Sequence, residues 1–129
     1  MVAGVRTEDG LRLADARVLI RSGALLQRSE GQNTAIGVIA TNATLTKAQA
    51  TKVAQMGQDG LARTVYPVHT PWDGDALFAL ATGTFHGPAE VTLIGALAAD
   101  MVQESVLRAV RAAKGLPGLP SASDLERGR

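Results

Sequence analysis

The chain has 129 residues, 46% of them apolar, and its 13 basic and 12 acidic side chains leave a formal net charge of +1. That length fits one domain or one piece of a larger one, and scattered basic residues give no electrostatic ground for binding nucleic acid or an anionic membrane. It has no cysteine, which excludes disulfides, thiolate metal sites and a cysteine nucleophile.

The start, Met1 to Gly10, lacks the charged-then-apolar order of a signal peptide. No run of about 18 apolar residues offers a membrane span, so a soluble, cytoplasmic protein is expected. Residues 1–33 are weakly patterned and read as a connector. Ala16-Arg17-Val18-Leu19-Ile20-Arg21 predicts a short strand and Ser29-Glu30-Gly31-Gln32 a turn. From Thr34 to Ala40 a short β-branched run bounded by Thr41-Asn42 predicts the first core strand. Thr46 is a candidate N-cap, and Ala50, Val53, Ala54, Gly57, Leu61 and Val65 recur at steps of three and four. This spacing predicts an amphipathic helix over roughly residues 47–64. Gly57 and Gly60 each cost about 1 kcal/mol relative to Ala in a helix, which points to close backbone packing against a neighbouring element or to a helix that simply tolerates them.

Pro67 ends that helix and opens a polar loop, Tyr66 to Asp75. Asp75 to Gly83 predicts the second core strand, with Phe85-His86-Gly87-Pro88 as the following turn. A broad apolar face from Val91 to Ala113 predicts a second helix over roughly residues 89–114, ended by Gly115 and Pro117. Residues 116–129 show no periodicity and are expected to form an irregular tail. Aromatics are only 3% and glycines number 14, so the core is built from Ala, Val, Leu and Ile in closely approaching layers.

The order strand, helix, strand, helix places one polar cluster at the start of each strand. Side by side in one sheet, the strands would bring Thr34 and Asp73 to Asp75 within about 10 Å. Breakage of the Asn33–Thr34 bond would give Thr34 a free α-amine beside its own hydroxyl, supplying nucleophile and base on one residue. Such an amine has a reference pKa of about 8, close enough to neutrality to serve. Taken alone, an Asn-Thr pair before a strand is also an ordinary strand entrance. Asp73-Gly74-Asp75 fits a turn, a metal site or a pair that orients the Thr34 amine by charge; a metal needs more oxygen ligands than this loop shows, and the orienting role is preferred. His69 invites a catalytic reading, but in a Pro-flanked loop the structural one is preferred, and His86 reads as solvated. Trp72 suits the substrate entrance or a cover for the loop equally, Asn42 is a weak candidate for holding an oxyanion, and Met56 and Met101 fill the core. No cofactor or metal is called for.

Six blocks in order carry a resemblance: Asn33 to Asn42, Leu45 to Ala50, Asp59 to Arg63, Pro67 to Thr70, Asp73 to Asp75 and Phe78 to Gly83. Together they resemble the self-processing aminopeptidase and amidase family typified by L-aminopeptidase D-Ala-esterase/amidase, and within it the endo-type 6-aminohexanoate-oligomer hydrolases that degrade nylon oligomers. The resemblance implies a precursor that cuts itself before a Ser or Thr and folds as an α/β/β/α sandwich of the N-terminal-nucleophile type. The cut falls between Asn33 and Thr34, Thr34 is the nucleophile, and Asp73 and Asp75 are the acidic residues near it. Residues 1–33 correspond to the end of the upstream subunit, and residues 34–115 to the nucleophile-bearing subunit core. Family members carry a longer upstream segment that supplies a Lys or Tyr and an Asn, for which Lys47 and Arg63 are poor substitutes. An upstream partner segment, a short peptide or oligoamide substrate, and an oligomer of such units are therefore expected. Two other readings are an acyltransferase of the ornithine-acetyltransferase type, disfavoured by the Asn-Thr pair and the Asp-Gly-Asp loop, and an inactive packing subunit.

Overall fold

The computed structural model describes residues 2–24 and 34–127. In chain order its elements are α1 (Ala16–Arg21), β1 (Ile36–Thr41), α2 (Lys47–Ala62), β2 (Ala76–Ala81), α3 (Val91–Ala112) and α4 (Ala122–Arg127). They fall into two compact units, one of Met1–Gly31 with Ser105–Arg129 and the other of Gln32–Glu104.

The unit Gln32–Glu104 is an α/β arrangement built on a small parallel sheet. β1 and β2 pair in register from Ile36 opposite Ala76 to Thr41 opposite Ala81. Parallel neighbours cannot be joined by a hairpin, and the connection between them carries α2 as the crossover. The pleat sends Gly37, Ile39 and Thr41 to one face and Ile36, Val38 and Ala40 to the other, which is exposed. On the covered face Gly57 of α2 sits directly on the Ile39 and Leu77 side chains. Ile36, Val38, Phe78 and Leu80 on the opposite face are 74, 67, 59 and 56% exposed.

Thr46 starts α2 through a reciprocal capping box with Gln49, an arrangement worth about 1 kcal/mol. The helix ends at Ala62, two residues short of the predicted Thr64, because Thr64 and Val65 both turn their N–H groups onto the Leu61 carbonyl. Val53 at its centre is fully buried. α3 lies against α2 where side chains are smallest. Gly60 abuts the Ala99 carbonyl and Gly95 abuts Met56, and Arg63 binds Asp100 at 2.8 Å across the rim. The cost of glycine inside α2 is thus offset by contact, as its sequence suggested.

Three local expectations are corrected. Met101, expected in the core, is exposed on α3. Residues 16–21 form helix α1, not a strand: Asp15 accepts from the Arg17 N–H as N-cap, and the Arg17 guanidinium grips the same carboxylate at 2.7 Å. This capping outweighs the β preference of Val18 and Ile20, and the hydrogen bonds from Arg17 hold the Asp15 carboxyl down to about 2. The tail is not wholly irregular. Ser121 caps α4, its N–H donating to the Asp124 carboxylate at 3.0 Å while its hydroxyl accepts from the Asp124 N–H at 3.3 Å. Six residues are too few to show a hydrophobic period. The predicted turn at residues 29–32 lies outside the described residues. Among the described residues no helix is long and apolar enough to cross a membrane.

The glycine contacts predict a contrast. A Cβ on Gly60 meets the Ala99 backbone carbonyl, 2.7 Å from Val102 Cβ and 2.9 Å from Gln103 N, none of which can rotate away. Gly60→Ala should therefore lower the unfolding free energy by about 2 kcal/mol in a urea titration. At Gly57 the nearest atom is the mobile end of Ile39, and the helix gains propensity, so Gly57→Ala should change stability by less than about 1 kcal/mol.

Candidate active site

The parallel register sets the N-terminal ends of β1 and β2 side by side, where a sheet normally runs out of partners. Ala35 marks that end. Its carbonyl accepts from the Ala76 N–H at 2.9 Å, and its own N–H donates to Asp75 Oδ1 at 2.8 Å. The carboxylate continues the ladder by one bond with a side chain, satisfying a donor that would otherwise be an orphan. It does so from a sheltered position, the Asp75 side chain being only 11% exposed.

Thr34 stands one residue earlier and rests on Gly74. A Cβ built at Gly74 would lie 2.8 Å from Thr34 Oγ1, so only a residue without a side chain lets the hydroxyl approach this backbone. The loop before Gly74 is braced by its other acid. Asp73 Oδ2 accepts from the Thr70 N–H at 2.7 Å, Thr70 O accepts from the Asp73 N–H at 3.0 Å, and Thr70 Oγ1 accepts from the Trp72 N–H at 3.3 Å. His69 precedes this closed turn with φ of 56°, and its Nδ1 lies 3.8 Å from Asp75 Oδ2.

A cavity of about 580 Å³ opens here, within the range of about 300–1,000 Å³ typical of small-molecule sites. Thr34, Asp73 and Asp75 form its polar wall, and Leu61, Val65, Tyr66, Pro67 and Val68 its apolar one. The latter comes from the end of α2 and the chain that follows. The arrangement therefore offers one hydroxyl and two carboxylates beside a surface suited to aliphatic groups. Among the described residues no three His, Asp or Glu side chains are grouped to hold a metal ion.

The convergence expected from the strand order is present: Thr34, Asp73 and Asp75 share one cavity at one end of the sheet. Asn33 lies outside the described residues. Asn42 follows β1 at its far end, about 25 Å along the strand from Thr34, too far to hold an oxyanion there. Trp72 is exposed and does not line the cavity. Three features escaped the sequence reading: the seat that Gly74 gives Thr34, the bond from Ala35 to Asp75, and the apolar wall. Of these only the glycine between two acids left a signal, and it reads equally well as an ordinary turn.

A family model described as peptidase family S58 matches residues 1–122. An uncharacterized aminopeptidase of Mycobacterium leprae is 45% identical over 102 residues, covering 69% of this chain and 28% of the relative. An uncharacterized aminopeptidase of Mycobacterium tuberculosis is 43% identical over 106 residues, covering 72% and 31%. The 6-aminohexanoate-oligomer endohydrolase of an Agromyces species is 32% identical over 92 residues, covering 63% and 26%. The chain thus spans less than a third of the length of these relatives.

The site geometry separates its two acids. Asp75→Ala strips the Ala35 N–H of its acceptor and should speed exchange of that amide about tenfold or more, with a stability loss of about 1–3 kcal/mol. Asp73→Ala should free the Thr70 amide directly and speed Ala35 exchange less than Asp75→Ala does, since the Ala35 N–H keeps its acceptor. Residue-resolved hydrogen exchange and a denaturant titration check both.

Proposed function

The chain belongs to peptidase family S58, and from that premise we propose that it carries the nucleophile of a self-cleaving amide-bond hydrolase, Thr34, exposed by breakage of the Asn33–Thr34 bond. The observation that carries this reading is the Thr34 hydroxyl seated on Gly74 at the wall of a cavity that also holds Asp73 and Asp75. A hydroxyl on a strand entrance needs no such preparation for a structural role. The printed names of the relatives, aminopeptidase and 6-aminohexanoate-oligomer endohydrolase, point to the same class of bond.

In this mechanism Thr34 Oγ first attacks the Asn33 carbonyl carbon; the hydroxyl proton passes to the nitrogen as the C–N bond breaks, leaving a free α-amine and an ester, and water hydrolyses the ester to release the Asn33 carboxylate and restore the Thr34 hydroxyl. With substrate bound, that amine takes the hydroxyl proton as Oγ attacks the scissile carbonyl. The proton passes to the leaving nitrogen as the amide C–N bond breaks. Water then attacks the acyl ester, returning the proton to Oγ and releasing the carboxylic acid. Asp75 acts by fixing the backbone at Ala35, and so the position of Thr34, while Asp73 braces the loop that carries Gly74. Alignment of this kind contributes several kcal/mol to a barrier reduction, typically about 7 or more when complete.

The cavity's apolar wall suits the aliphatic part of a short peptide or linear oligoamide. Groups from the rest of the protein complete the site in this reading, among them the upstream Lys or Tyr and the Asn that the family resemblance implies. A second sheet, laid over Ile36, Val38, Phe78 and Leu80, forms the inner layers of an α/β/β/α sandwich, and such units assemble into an oligomer.

Intact mass of the purified protein tests the reading. Wild type should give two fragments meeting at Asn33 and Thr34, and Thr34→Ala a single uncut chain. An uncut wild type, or the same cut in both proteins, would contradict it.

A further inference from the structure

Resting on the assignment of Thr34 as nucleophile, we propose that His69 is a positioning residue that holds the Asp75 carboxylate in the rotamer that grips Ala35 and thereby aims Thr34. The first observation is a division of labour at Asp75. Oδ1 is committed to the Ala35 N–H at 2.8 Å, whereas Oδ2 faces His69 Nδ1 at 3.8 Å. At 3.8 Å the pair is longer than a hydrogen bond, yet close enough to hinder the swing about χ2 that a carboxylate held by one oxygen alone retains. The proposal requires the proton on Nδ1, the nitrogen that faces the carboxylate.

The second observation is the backbone. His69 is the only non-glycine among the described residues with a positive φ, 56°, a conformation uncommon outside glycine that histidine adopts more readily than most side chains. Such strain persists where surrounding structure holds it. Here the holding group is the turn just after His69, clamped by Asp73 on the Thr70 N–H and by Thr70 O on the Asp73 N–H. Relaxing φ to the ordinary region would redirect the imidazole away from Asp75. The two acids of the site are therefore linked: Asp73 sets the turn, the turn sets His69, and His69 sets Asp75.

A residue that served only to shape the left-handed backbone would be replaced without loss by Gly or Asn, both of which tolerate this conformation. That gives the test. The rate of Asn33–Thr34 cleavage, the thermal midpoint and the exchange rate of the Ala35 amide are measured for wild type, His69→Gly and His69→Asn. The positioning role predicts that both variants keep the wild-type midpoint, cleave about tenfold to a hundredfold more slowly, and exchange the Ala35 amide several-fold faster. It also predicts that imidazole added to His69→Gly restores part of the cleavage rate, which a structural defect would not allow. Wild-type cleavage and Ala35 protection in both variants would overturn it. Should wild type itself remain uncut, the nucleophile assignment fails and the Ala35 amide decides the His69 role alone: faster exchange in the variants supports it, unchanged exchange overturns it.

Discussion

The hydrogen bond from the Ala35 N–H to Asp75 is the constraint on which the site depends. It joins the residue before β1 to the residue before β2, at the point where the backbone ladder of a parallel pair stops. A carboxylate there does two things at once. It satisfies the last donor of the sheet, and it fixes the chain direction at Thr34, whose hydroxyl then falls on Gly74. Because the bond involves a charged acceptor in a sheltered position, it is worth more than a neutral one, about 1.5–3 kcal/mol.

Small residues let the remaining layers support this edge. Gly57 brings α2 down onto Ile39 and Leu77, and Gly60 and Gly95 bring α3 onto α2, so a core almost without aromatic residues still packs closely. Closeness has a second effect. Leu61, in the last turn of α2, and Val65, just beyond it, reach the same end of the sheet as Thr34 and join the apolar wall of the cavity. The helix that covers the sheet thus also shapes the site. The opposite sheet face remains apolar and exposed, a patch of the kind that soluble proteins bury against another layer.

Much of this is legible in the sequence. The parallel pair follows from strand, helix, strand order, since a crossover of that length leaves few other solutions, and parallel pairing by itself places Thr34 and the Asp-Gly-Asp loop at one end. The observed bounds of both strands and both long helices stay within two residues of those predicted. Where reading failed, local side-chain hydrogen bonds outweighed the pattern: Asp15 capping α1 against a β-branched run, and Ser121 with Asp124 building α4 in a stretch without period. The site's finer construction was hidden for a different reason. Gly74 matters only because Thr34 lands on it, and the role proposed for His69 rests on its approach to Asp75 across the loop. Both are facts of tertiary placement that no local spacing encodes.

In the proposed mechanism Thr34 Oγ is the atom that forms the acyl ester. A β-lactone tests this directly, because ring opening leaves the whole reagent attached to the oxygen that attacked. After brief exposure of the purified protein, acid quenching and peptide mass mapping, one adduct is expected, on the fragment beginning at Thr34, removable by hydroxylamine and absent from Thr34→Ala. An adduct on another residue, or turnover of an amide by protein that never carries a label at Thr34, would contradict it.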